Sequence, residues 1–173
     1  MNDNEKGRIF WVTGLSGAGK TTISRLLFNR LKKHKENSVF LDGDELRSVL
    51  GSEGYCYEER KKLAFTYSRL CKLLADQGCD VVIATVSMFH ECHEWNRKHQ
   101  PHYKEIYLRV PIEVLIQRNQ KNLFLSNSQN VVGIDVKFEE PKNPDVILEN
   151  HGSLYPKKAV EQLYPMLEVG ARL

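Results

Sequence analysis

The stretch Gly14-Leu15-Ser16-Gly17-Ala18-Gly19-Lys20-Thr21 satisfies the pattern GxxxxGK[ST]. Its setting gives the pattern weight. The β-prone run Arg8–Thr13 (RIFWVT) leads into it, and apolar residues at helical spacing continue from Lys20 to about Lys35. A strand, a glycine loop and a helix in that order make a phosphate holder. The glycines let the loop curl until its amides point inward, and the helix N-terminus adds partial positive charge. Lys20 then reaches the β- and γ-phosphates, and Thr21 is placed to ligate Mg²⁺. A glycine-rich turn without function does not account for this context.

Outward from the loop, strands and helices alternate. Ser38–Leu41 reads as a second strand running into Asp42-Gly43-Asp44, and a short helix through Leu46, Val49 and Leu50 stops at Gly51. Tyr57 to about Gln77 carries Leu63, Phe65, Leu70, Leu73 and Leu74 at helical spacing and ends before Gly78. The continuous apolar run Asp80–Thr85 (DVVIAT) predicts a parallel strand covered on both faces. A helix over roughly Phe89–His99, a strand over Glu105–Val110 and a helix opened by Pro111 and running to Arg118 follow. From Asn119 to Pro144 the text is polar and irregular, as expected of a lid over a substrate, before a strand at Asp145–Leu148 and a helix from Pro156 to about Glu168. This order predicts an α/β fold of three layers, a parallel β-sheet flanked by helices with a lid loop, of the P-loop NTPase type. Its ligands are expected beyond the carboxyl ends of the strands.

Composition narrows the function classes. At 173 residues the chain predicts one domain spanning 1–173, with 41% hydrophobic and 27% charged residues, ordinary for a globular protein. No apolar run approaches bilayer length, and the polar opening Met1–Lys6 has none of the apolar stretch of a secretory leader, so a cytoplasmic location and no membrane partner are expected. A net charge of +3 without a basic tract does not imply nucleic-acid binding. Cys56, Cys71, Cys79 and Cys92 lack any CxxC pairing and read as reduced thiols. His90, His93, His99 and His102 with Cys92 invite a zinc reading, but no second ligand pair is spaced to close such a site.

Asp42 and Asp44 are the next candidates. A kinase needs one carboxylate for the magnesium shell and one near the acceptor hydroxyl to take its proton. On a strand, two residues apart share a face, and at a strand's end both would point into the crevice. A helix-capping role for Asp44, ahead of Leu46 and Val49, is the competing structural use.

Three segments together resemble the adenylyl-sulfate kinase family. They are the loop Gly14–Thr22, Leu41-Asp42-Gly43-Asp44-Glu45-Leu46-Arg47, and Val132-Gly133-Ile134-Asp135 with Glu140-Pro141-Lys142-Asn143-Pro144. The resemblance spans nearly the whole chain, and the last two segments are far more specific than the first. It implies transfer of the γ-phosphate of magnesium-ATP to a nucleotide 3′-hydroxyl, and often a homodimer. It implies ATP binding by Gly14, Ser16, Gly17, Ala18, Gly19, Lys20, Thr21 and Thr22, with Arg118 near the adenine. Lys20, Asp42 and Asp44 are the implied catalytic residues, Thr21 and Asp42 the magnesium ligands. The acceptor side falls on Asp44, Arg47, Tyr55, Arg60, Ser87, Phe89, His90, Lys121, Val131, Ile134 and Asp135. Without the resemblance, Arg60 among Glu58, Glu59, Lys61 and Lys62 reads as a solvated helix face.

The departures fall mainly on the acceptor side. Leu63 and Phe65 stand where the family has Asn and Arg, and Val86-Ser87-Met88-Phe89-His90 replaces Ile-Ser-Pro-Tyr-Arg. Val131 replaces the second aromatic of an adenine clamp. Lost charge and stacking area favour an acceptor with another base or a less anionic tail. A branch of the family phosphorylates cytidine diphosphoramidate in bacterial surface-glycan modification, and that conjugate and adenylyl sulfate are the two competing acceptors. His90 is the one obvious substitute for the lost arginine. A nucleotide switch is the rival of another class, but the Asn-Lys-x-Asp base-reading motif of GTPases is absent. A gluconate-type kinase would not carry the GID and EPxNP segments.

Overall fold

The computed structural model describes residues 6–52, 54–118, 138–152 and 155–167. Five parallel strands are β1 (Ile9–Thr13), β2 (Ser38–Asp42), β3 (Asp80–Ala84), β4 (Tyr103–Arg109) and β5 (Val146–Glu149). The helices are α1 (Lys20–Lys32), α2 (Gly43–Val49), α3 (Tyr57–Asp76), α4 (His90–His99), α5 (Ile112–Arg118) and α6 (Pro156–Met166). The strand order is β2-β3-β1-β4-β5. The expected alternation is present throughout, with element ends shifted by one to three residues. β2 runs on to Asp42, and α4 starts at His90 because Phe89 is still extended (φ −129°, ψ 119°).

Side-chain alternation along β1 builds the three layers. Phe10 and Val12 point into one cluster with Ile23, Leu27 and Leu31 of α1 and Ala159, Val160 and Leu163 of α6. Ile9 and Trp11 point the other way, onto Leu63, Ala64, Tyr67 and Cys71 of α3 and Cys92 of α4. The central strands β1 and β3 are buried along their whole length, as their unbroken apolar text requires. Trp11 is a packing residue, wholly buried. Burying each such side chain contributes about 2 kcal/mol to holding the layers together.

One polar feature escaped the apolar reading of β3. Asp80 is 0% exposed, and it accepts from Arg8 N and Nε at 2.9 Å each, from the Arg8 terminal nitrogen, and from Lys35 Nζ at 3.1 Å. Burial alone would raise its carboxyl pKa, but these bonds and the two cations hold it below the ordinary value. This knot ties the amino ends of β1 and β3 together, opposite the site. A carboxylate with a depressed folded pKa contributes stability above the ordinary carboxylate range and loses it as pH falls through the folded value. Asp80→Ala is therefore expected to lower stability by about 2 kcal/mol at neutral pH. The deficit should shrink in acid as the wild type protonates, measured by denaturant titration at pH 7 and pH 3.

Candidate active site

The phosphate loop leaves the carboxyl end of β1 and enters α1. Gly19 caps α1 with φ 88°, and a Cβ there would lie 2.6 Å from Asn150 Nδ2, so both backbone angle and space require glycine. No side chain caps α1 and no acidic residue of its own stands in its first turn, so no residue of that turn offsets the positive end of the helix dipole. Lys20 Nζ donates to Leu15 O at 2.8 Å across the loop. Asn150, the residue after β5, donates to Ala18 O at 2.7 Å and accepts from Arg118 at 2.7 Å through its own carbonyl. That bridge brings Arg118 beside the phosphate loop. Sequence reading missed Asn150, although its position directly after a parallel strand was a usable signal.

The Asp42-Gly43-Asp44 turn meets this loop from β2. Thr21 Oγ1 donates to Asp42 Oδ2 at 2.8 Å, and Asp42 Oδ1 accepts from Asp44 N at 2.9 Å. Two expectations are corrected here. The pair does not share a strand face, because Asp44 already lies in the first turn of α2; and the cap of α2 is Asp42, not Asp44. Asp42 is buried whereas Asp44 is exposed, so the two carboxylates are separated by environment as well as by element. Tyr67 OH, also missed, donates to Gly43 O at 2.8 Å, and burial pushes its phenol up to about 12. A Cβ on Gly43 would crowd Ala84 O at 3.0 Å and Thr85 Oγ1 at 3.2 Å, so the turn packs directly on the end of β3. Thr85 and Ser87 hydroxyls are 2.7 Å apart at that end.

Arg47, Tyr55 and Arg60 converge. The Arg47 and Arg60 guanidinium carbons lie 4.6 Å and 5.4 Å from the Tyr55 ring centroid. Arg47 donates to Gly54 O at 2.7 Å and Arg60 Nε to Tyr55 O at 2.7 Å. Arg60 is thus not a solvated helix-face residue: desolvation and then the Arg47 charge lower its pKa. Two like charges around one ring suit an anionic ligand. On the other side, Ser87 and Phe89 are buried, and Tyr57 meets Phe89 edge-on at 5.3 Å. His90 Nε2 lies 2.8 Å from Glu140 O, and His93 Nε2 lies 2.9 Å from Ser87 O.

Leu63 and Phe65 do not line this region as expected. Leu63 is 7% exposed in the core, and Phe65 packs edge-on against Trp95 at 6.3 Å, so these two departures serve the α3–α4 interface. Lys121, Val131, Ile134 and Asp135 lie outside the described residues, as do 119–137 of the expected lid. Among the described residues no helix is long and apolar enough to cross a membrane.

A five-stranded parallel sheet in this order, with a glycine phosphate loop after its central strand and an aspartate turn hydrogen-bonded to that loop, defines a P-loop kinase, a phosphotransferase using ATP. The chain belongs to the adenylylsulphate kinase family, whose model matches residues 6–149. It is 42% identical over 146 residues to a cytidine diphosphoramidate kinase of Campylobacter jejuni, covering 82% of this chain and 85% of that protein. It is 32% identical over 146 residues to a probable adenylyl-sulfate kinase of Archaeoglobus fulgidus, covering 82% of this chain and 94% of that one. The solved Mycobacterium tuberculosis APS kinase in complex with AMPPNP and APS superposes with a TM-score of 0.82 at 28% identity, covering 94% of this chain and 98% of that one.

Proposed function

We propose that this kinase transfers the γ-phosphoryl group of ATP to the 3′-hydroxyl of a pyrimidine nucleotide conjugate, cytidine diphosphoramidate, in preference to adenylyl sulfate. The observation that carries the transfer site is the 2.8 Å hydrogen bond from Thr21 to Asp42, which joins phosphate loop and aspartate turn in one oxygen-rich corner. A hydroxyl and a carboxylate are hard donors that fit Mg²⁺, and Thr21 and Asp42 would hold it; bound there, the ion neutralises charge on the phosphates. The loop amides and Lys20 orient the triphosphate. Asp44, exposed at the start of α2, takes the proton as the acceptor oxygen bonds to the γ-phosphorus and the bond to the β,γ-bridging oxygen breaks, releasing ADP. Arg47 and Arg60 hold the anionic part of the acceptor beside Tyr55.

The acceptor choice is supported by the 42% identity to the cytidine diphosphoramidate kinase and by His90 standing where the family carries an arginine. One charge-assisted hydrogen bond lost is worth roughly 1.5–3 kcal/mol, about ten-fold or more in acceptor binding. The expected result is a kcat/KM at least about ten-fold higher with cytidine diphosphoramidate than with adenylyl sulfate, each assayed by ADP release under identical conditions. A clear preference for adenylyl sulfate would return the chain to the ordinary activity of its family.

A further inference from the structure

Glu139 has no part in the transfer scheme, yet it joins three segments. Its Oε2 accepts the backbone N–H of His90, the first residue of α4, and its Oε1 accepts from Tyr57 OH, the first residue of α3, at 3.2 Å. Its own N–H donates to Met88 O at 3.3 Å. The His90 ring returns the contact, with Nε2 2.8 Å from Glu140 O; a carbonyl only accepts, so that nitrogen carries a proton. No side chain of its own segment caps α4, so a carboxylate distant in sequence takes that place. The His90 N–H is the largest influence holding the Glu139 carboxyl below its ordinary pKa. Phe89, the residue before α4, meets the Tyr57 ring edge-on at 5.3 Å.

We propose that Glu139 is a positioning residue for acceptor binding: it clasps the first residues of α3 and α4 and so fixes Phe89 and His90. His90 serves the acceptor through this clasp and does not touch it. The inference rests on the acceptor reading above together with the family resemblance, which puts the segment Ser87–His90 beside the acceptor. On this proposal His90 is not a direct substitute for the lost arginine.

The test uses the full chain with Glu139→Ala, Glu139→Gln and His90→Gln, ATP as donor, and cytidine diphosphoramidate and adenylyl sulfate as acceptors. Glu139→Ala should raise the KM of the better acceptor about ten-fold while the KM of ATP stays put. Glu139→Gln, whose amide oxygen still accepts from His90 N–H, should restore most of the loss. His90→Gln should leave the ratio of kcat/KM between the two acceptors unchanged, because a glutamine amide can keep the donation to Glu140 O and no contact to the acceptor's tail is lost. An unchanged acceptor KM in Glu139→Ala, a parallel rise in the KM of ATP, no rescue by glutamine, or a shifted acceptor ratio in His90→Gln would each overturn the clasp. Hydrogen exchange of the His90 amide reads the clasp without any acceptor: it should quicken in Glu139→Ala and not in Glu139→Gln, and equal rates overturn it. Absence of ADP release by the wild type with either acceptor, alongside that exchange pattern, would fail the acceptor reading and leave the clasp standing.

Discussion

Lys20→Ala is expected to lower turnover on the order of 10³-fold, the scale of removing one preorganised charge aimed at the transferring group. The side chain donates to Leu15 O of its own loop at 2.8 Å, and a phosphate oxygen can take the place of that carbonyl. The core beneath the loop is Leu15, Ala18, Ile23 and Leu27, none of which the substitution touches. Thermal unfolding should therefore move little while ADP release collapses. Unchanged turnover in a folded Lys20→Ala protein would remove the lysine from the phosphate site and with it the scheme proposed for this loop.

Asp44→Asn is expected to slow transfer by about 10²-fold or more, since it keeps shape and polarity but removes the proton acceptor. The competing use of this residue, capping α2, belongs to Asp42, whose Oδ1 takes the Asp44 N–H at 2.9 Å. Stability should accordingly hold in Asp44→Asn. Asp42→Asn weakens both the cap and the Thr21 contact, and its loss should be mixed, in stability and in the dependence of rate on magnesium concentration. A fall in melting temperature for Asp44→Asn with no change in rate would reverse the two roles. Single-turnover measurement with saturating ATP separates the proton step from binding.

Local text carried much of this molecule. The loop from Gly14 to Thr21 announced both a backbone conformation and a ligand, because glycine spacing and the following helix are short-range facts. The unbroken apolar runs of β1 and β3 announced a sheet buried on two faces, and the alternation of elements announced parallel crossovers. Asp42 and Asp44 were visible as a pair, but their division into cap and exposed carboxylate depended on where β2 ended.

Folding alone decided the partners that lie far apart along the chain. Asp80 sits in apolar text and shows its charge only against Arg8, 72 residues away; Asn150 meets the phosphate loop across 132 residues; Glu139 reaches His90 across 49. Leu63 and Phe65 fell on the acceptor side through the family resemblance, and packing against Trp11 and Trp95 claimed them instead. The physical reason is one of range. Period, turn chemistry and glycine spacing act within a few residues and can be read from their order. A hydrogen bond or a buried charge needs a second group, and which group arrives is set by how the layers close over the sheet.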